Sequence, residues 1–240
     1  MAAALPDQRG ESLQRAATYA PSPGTTLIFQ ESLPVEDLGM VYLFAAPEAT
    51  IENQARGELL SSHLSNRAFN QLRTEEQLGY AAGGFATVLG DHPMVGFYIQ
   101  TPVKNPADML ARFDAYRQEF AADMDALSPD EFERIKAGVL TDLTQPPKNL
   151  AEEAGPFISD WDRERYDFDT RDRLIAAVRE VTLADVQAYY TDTVMAAAPS
   201  RLLVQLKGSR FADDPFATIE AATVVEDVAA FHKTMPRQPK

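Results

Sequence analysis

The chain has no cysteine, three histidines and one tryptophan in 240 residues. Without cysteine there are no disulfides, no thiolate metal ligands and no cysteine nucleophile, and a chain this long buries enough core to fold without such staples. The compartment is left open by that absence. A zinc hydrolase needs two imidazoles on one helix face together with a carboxylate. His63, His92 and His232 are too widely spaced to supply them, so no metal site is expected here. Long apolar runs are also missing: residues 40–46 form the longest, against the roughly 20 a membrane span requires. A membrane is therefore not an expected partner. Basic charge is scarce, with 22 Lys and Arg against 36 acids and a net charge of −14. Such a surface repels a phosphate backbone, which removes nucleic acid as a partner class. There is no Gly-x-Ser-x-Gly elbow for a serine nucleophile. Gly83-Gly84 lies within a strand pattern, so it predicts close approach by a neighbour rather than a phosphate cradle.

What is present is an ordinary globular composition, 45% hydrophobic and 24% charged, in a length that suits one domain with frayed ends. Residues 1–24 are polar and end in the breakers Pro21-Ser22-Pro23-Gly24, which reads as an N-terminal arm. No signal peptide is visible at Met1-Ala2-Ala3-Ala4. Strands are predicted at residues 25–30 and 39–46, paired with each other, and at 80–88 and 95–100 as a hairpin around Gly90-Asp91. A helix capped by Thr50 is expected to run through Leu72, carry Arg73 at its far end and be broken by Gly79. Met109, Leu110, Phe113, Tyr116, Phe120, Met124 and Leu127 form one helical apolar stripe. Ser128-Pro129-Asp130-Glu131 begins the next helix, and Asn149 with Glu152 and Glu153 another, with Gly155-Pro156 predicting a kink or break. Two short helices over residues 170–193 and a strand at 200–206 follow, then an ambiguous tail over residues 209–240. The order argues for an α+β fold, a two-layer sandwich of a mainly antiparallel sheet with helices on one face, over residues 25–208.

The most informative stretch is Phe69-Asn70-Gln71-Leu72-Arg73-Thr74-Glu75-Glu76-Gln77-Leu78-Gly79-Tyr80, which sets a guanidinium and a phenol at either end of a helix exit. Both groups can hydrogen-bond the main-chain carbonyls of an extended peptide whatever its side chains are. Residue type leaves a second reading open, in which Arg73 caps helix carbonyls and Tyr80 packs in the sheet. Glu75-Glu76 and Glu152-Glu153 read as solvated helix-end charges rather than an acid–base pair, because neighbours on a helix point apart.

Leu72-Arg73-Thr74-Glu75-Glu76-Gln77-Leu78-Gly79-Tyr80 resembles the Leu-Arg-Thr-x-Glu-Gln-Leu-Gly-Tyr signature of the insulinase/pitrilysin metallopeptidases, in their C-terminal, non-catalytic half. Pro147-Lys148-Asn149-Leu150, Tyr166-Asp167-Phe168-Asp169-Thr170-Arg171 and Gln205-Leu206-Lys207-Gly208-Ser209 fit in the same order, so the resemblance spans residues 25–210. Gly155-Pro156 departs from the family's helix at that point. The resemblance implies the LuxS/MPP-like metallohydrolase fold and a periplasmic setting. In such enzymes a His-x-x-Glu-His motif, absent here, holds zinc in another domain, so this chain is expected to bind no cofactor itself and to be inactive alone. Its implied partners are the N-terminal catalytic half and peptide substrates, with Arg73 and Tyr80 binding substrate backbone and Phe69 lining the adjacent apolar pocket. A stand-alone, metal-free peptide-binding or assembly protein is the rival reading, and part of a processing protease for a peptide precursor a third.

Overall fold

The computed structural model describes residues 22–234; most of the predicted N-terminal arm lies outside them. Six strands form one mixed sheet: β1 (Thr26–Ser32), β2 (Leu38–Ala45), β3 (Ala81–Leu89), β4 (His92–Thr101), β5 (Arg201–Lys207) and β6 (Thr223–Val225). Their order across the sheet is β3-β4-β2-β5-β1-β6. The β3-β4, β4-β2 and β2-β5 pairs are antiparallel, whereas β1 runs parallel to β5 and β6. The β3-β4 hairpin turns on Gly90 (φ +62°) and Asp91 (φ +90°), the two left-handed positions that a tight hairpin requires. The expected pairing of β1 with β2 does not occur, because β5 lies between them. Its end is fastened to the β1-β2 connection, with Leu33 N–H donating to Lys207 O at 2.9 Å and Ser209 N–H to Val35 O at 2.7 Å.

Helices α1 (Ile51–Ala68), α2 (Pro106–Ala126), α3 (Pro129–Thr144), α4 (Leu150–Asp162), α5 (Thr170–Glu180), α6 (Leu183–Thr193) and α7 (Val228–Thr234) complete the described residues. Alternation along the strands turns Met40, Tyr42, Phe44, Val95, Phe97 and Ile99 towards one face, where α1, α2 and α6 contribute Leu60, Leu64, Phe113, Tyr116, Phe120 and Tyr190 to a single core. Aromatic rings bridge the layers, from Phe97 to Phe113 and Tyr116 at 5.8 and 5.7 Å, and join α2 to α6, from Phe120 to Tyr190 at 5.2 Å. Each such contact adds about 0.5–1.5 kcal/mol beyond the area it buries. The opposite sheet face carries a smaller apolar cluster of Leu43, Ala45 and Met94 with Val41, Phe85 and Leu202.

Capping explains the helix starts. The side chains of Thr50, Asn105, Ser128 and Asn149 each accept a main-chain N–H three residues on, and Thr182 and Asp185 complete a reciprocal capping box. α4 continues through Pro156 without the predicted break. Proline removes one N–H bond, but its fixed φ suits a helix. Its outer side exposes Phe157, Ile158 and Trp161. Residues beyond 208 add β6 to the sheet, and Gln205 holds Ala217 through both side-chain atoms at 2.8 and 2.9 Å.

β3 is the outermost strand on one side, and α1 runs along it. Ser61 Oγ accepts the N–H of Ala86 at 3.0 Å, and Ser65 Oγ donates to Gly84 O at 2.6 Å.

Candidate functional site

The helix begun by α1 does not stop at Ala68 but widens into a π-helical turn, Phe69–Glu75. Glu76 N–H donates to Gln71 O at 2.9 Å, five residues back, and Leu78 N–H to Leu72 O at 3.0 Å. Such turns accommodate one extra residue within a helix and concentrate at functional sites. The chain reverses at Gln77, whose φ of +53° is left-handed, rather than at Gly79 as the sequence suggested. Gly79 serves a different need: a β-carbon there would collide with Gln100 O on β4. Only glycine permits that approach.

This exit brings the three predicted residues together. Phe69 opens the π turn and is 42% exposed, and Tyr80, just ahead of β3, is 72% exposed. The Arg73 guanidinium carbon lies 4.8 Å from the Phe69 ring centre, a stacked cation–π contact. Arg73 Nε–H donates to Tyr80 O at 2.8 Å. Arg73 thus does bond a carbonyl, but at the start of a strand rather than a helix end, and Tyr80 is not packed in the sheet. No acceptor among the described residues contacts the terminal nitrogens of Arg73 or the Tyr80 hydroxyl within hydrogen-bond reach.

Behind the cluster stands an ionic network that the sequence reading missed. Arg112 on α2 grips Glu76 with two bonds, 2.7 and 2.5 Å, and Glu119 with two more, 3.2 and 2.9 Å. Glu119 also accepts from Gln71 Nε2 at 2.7 Å. The guanidinium holds the Glu76 carboxyl below its ordinary range, and the two carboxylates push Arg112 further up. Glu76 is therefore a paired, half-buried group rather than a solvated helix-end charge, whereas Glu75 is exposed as expected. The available signal was the spacing of Arg112, Tyr116 and Glu119, which share one helix face.

Elsewhere the polar candidates have structural roles. His63 Nε2 lies 2.8 Å from Asp123, which also takes Arg67, and His92 Nε2 lies 2.6 Å from Ala46 O. Glu152 accepts from Lys148 N–H and Asn149 Nδ2 at the head of α4. Gly83 and Gly84 admit the Tyr98 ring and the Leu64 side chain, so the close approach is by side chains. No group of three or more metal-ligating side chains occurs among the described residues, which do not fit a zinc ion. No helix among them is long and apolar enough to cross a membrane. A groove of about 500 Å³ lies away from the cluster, lined by Ile51, Arg56, Arg173, Ala177 and Asp185.

A six-stranded mixed sheet with its helical layer on one side, entered through this helix exit, is the α+β fold of M16-type peptidase domains. The chain superposes on the crystal structure of pitrilysin with a TM-score of 0.86 and 29% identity, over 95% of this chain and 24% of that one. Protease 3 of Escherichia coli (strain K12) is 33% identical over 184 residues, 77% of this chain and 19% of its own length. Residues 59–158 match the family described as PQQ synthase PqqF-like, C-terminal lobe domain 4. A peptidase M16 inactive domain from Pseudomonas fluorescens shares the fold, with a TM-score of 0.57 at 13% identity. The chain belongs to the insulinase/pitrilysin family, as a domain of its C-terminal lobe. It spans about a fifth of the length of the relatives it matches.

Proposed function

We propose that this chain acts as the non-catalytic C-terminal domain of a pitrilysin-like zinc metalloendopeptidase, binding the main chain of a peptide and closing the catalytic chamber. The observation that carries this reading is the cluster itself: a guanidinium whose terminal donors meet no acceptor among the described residues, stacked on an exposed ring beside an exposed phenol. Arg73 and Tyr80 supply donors that orient and polarise a peptide carbonyl, and Phe69 offers an apolar surface to the neighbouring side chain. The cluster stands on an open surface, as a half-site does when its opposite wall belongs to another segment. In this reading the zinc that activates water is held by the N-terminal catalytic half, and the enzyme works in the periplasm. In the longer enzyme Arg73→Ala should lower turnover of a peptide substrate without unfolding the protein. Unchanged kinetics would return Arg73 to a purely structural role. Metal analysis of the purified chain should find no stoichiometric zinc, and tight equimolar zinc would overturn the division of labour.

A second reading is a stand-alone, metal-free peptide-binding or assembly protein, favoured by the fold shared with an M16 inactive domain. Similarity to the PqqF-like family supports a variant of the first, in which the substrate is a peptide precursor of a redox cofactor.

A further inference from the structure

We infer that Arg112 is a positioning residue for the peptide-gripping cluster: its carboxylate network selects the π-helical form of residues 69–75 and thereby aims Arg73. This inference rests on the reading of Arg73 and Tyr80 given above, and it concerns a residue on a different helix. Gln71 and Glu76 are five residues apart, the separation that a π turn closes, as the Glu76 N–H to Gln71 O bond shows. In an α-helix each residue advances by about 100°, so residues five apart point about 140° away from each other. One anchor on α2 could not then hold both side chains. Here it does, because Arg112 takes Glu76 in a two-bond grip and also holds Glu119, which takes Gln71.

Arg73 lies between the two tethered residues and has no tie of its own to α2. Its direction follows from the turn that carries it. Phe69 and Arg73, four residues apart, stay neighbours on an α-helix as well, but relaxation to α-helical spacing would turn the exit that follows and carry Tyr80 O away from Arg73 Nε. The anchor is sheltered: the Arg112 side chain is 13% exposed and stacks 5.7 Å from the Tyr116 ring. Shielding from water strengthens its ion pairs relative to those on an open surface. Arginine is required for this task, since lysine offers a single point charge in place of a planar fork.

The test uses the 240-residue chain with arginine side chains labelled for NMR. The Arg73 Nε–H, bonded to Tyr80 O in the wild type, is expected to exchange about tenfold faster with solvent in R112M, and by an intermediate factor in R112K. A folded R112M whose Arg73 Nε–H exchanges at the wild-type rate overturns the proposal. If R112M does not fold, R112K and E119Q carry the same measurement, and wild-type exchange in both has the same force. A blocked nonapeptide of alternating Ala and Lys, titrated into each variant, separates this inference from the one beneath it. Weakened binding in R73A with wild-type binding in R112M removes Arg112 and leaves the peptide reading intact. Wild-type binding in R73A removes the peptide reading, while the exchange rate still decides whether Arg112 aims Arg73.

Discussion

Arg73 Nε–H donates to the main-chain oxygen of Tyr80 at 2.8 Å, so the cation fixes the backbone that carries the phenol. The two residues therefore act as one unit. In the proposed peptidase, Arg73→Ala should reduce kcat/KM by about 10- to 100-fold, the value of a charge-assisted hydrogen bond, and Tyr80→Phe by about 3- to 10-fold. The double variant should be scarcely worse than Arg73→Ala alone, because losing the cation already frees Tyr80. Fully multiplicative losses would show that the bond between them is incidental.

Gly79→Ala should destabilise the chain by about 2–4 kcal/mol, since the added methyl meets Gln100 O at a separation no relaxed structure tolerates. Chemical denaturation reads this directly. A variant as stable as the wild type would mean that the β4 backbone yields easily there.

Glu58 on α1 is pushed above the usual carboxylate range by burial alone. A raised pKa in the folded state means that the neutral form is preferred there, so its contribution is complete below the unfolded pKa and is lost as pH rises through the folded value. Glu58→Gln should thus raise Tm at pH 7 by about 2–4 °C, and the gain should vanish in acid. A gain that persisted below the carboxylate range would show that ionisation is not its cause.

Glu76 behaves in the opposite sense, because the Arg112 guanidinium holds its pKa down. Its contribution is present above the unfolded pKa and is lost as pH falls through the lowered value. Glu76→Gln should cost about 1–2 kcal/mol at pH 7, with the difference from wild type closing in acid. Thermal melts across that range test it, and a difference independent of pH would point to packing instead.

Much of the fold was legible because local rules sufficed. Thr50, Ser128 and Asn149 mark helix starts by an oxygen placed three residues before an N–H, and Gly90-Asp91 marks the hairpin by its left-handed angles. The insertion of β5 between β1 and β2 was not legible, since it depends on a strand about 170 residues further on. Phe69 and Arg73, four residues apart, are neighbours on any helix face, but the bond from Arg73 to Tyr80 O is not legible, because an α-helical reading of residues 69–75 misses the extra residue in the turn. Arg112 stayed hidden for the same reason: its partners face it only once the turn has widened.

Ser61 and Ser65 have a consequence beyond tying α1 to the sheet. By occupying polar groups on the rim of β3, they hinder zipper-like growth of the sheet along that border, whether by another copy or by a guest polypeptide. A guest is thereby left to be held by side chains standing above the scaffold. Recognition of that kind tolerates many sequences.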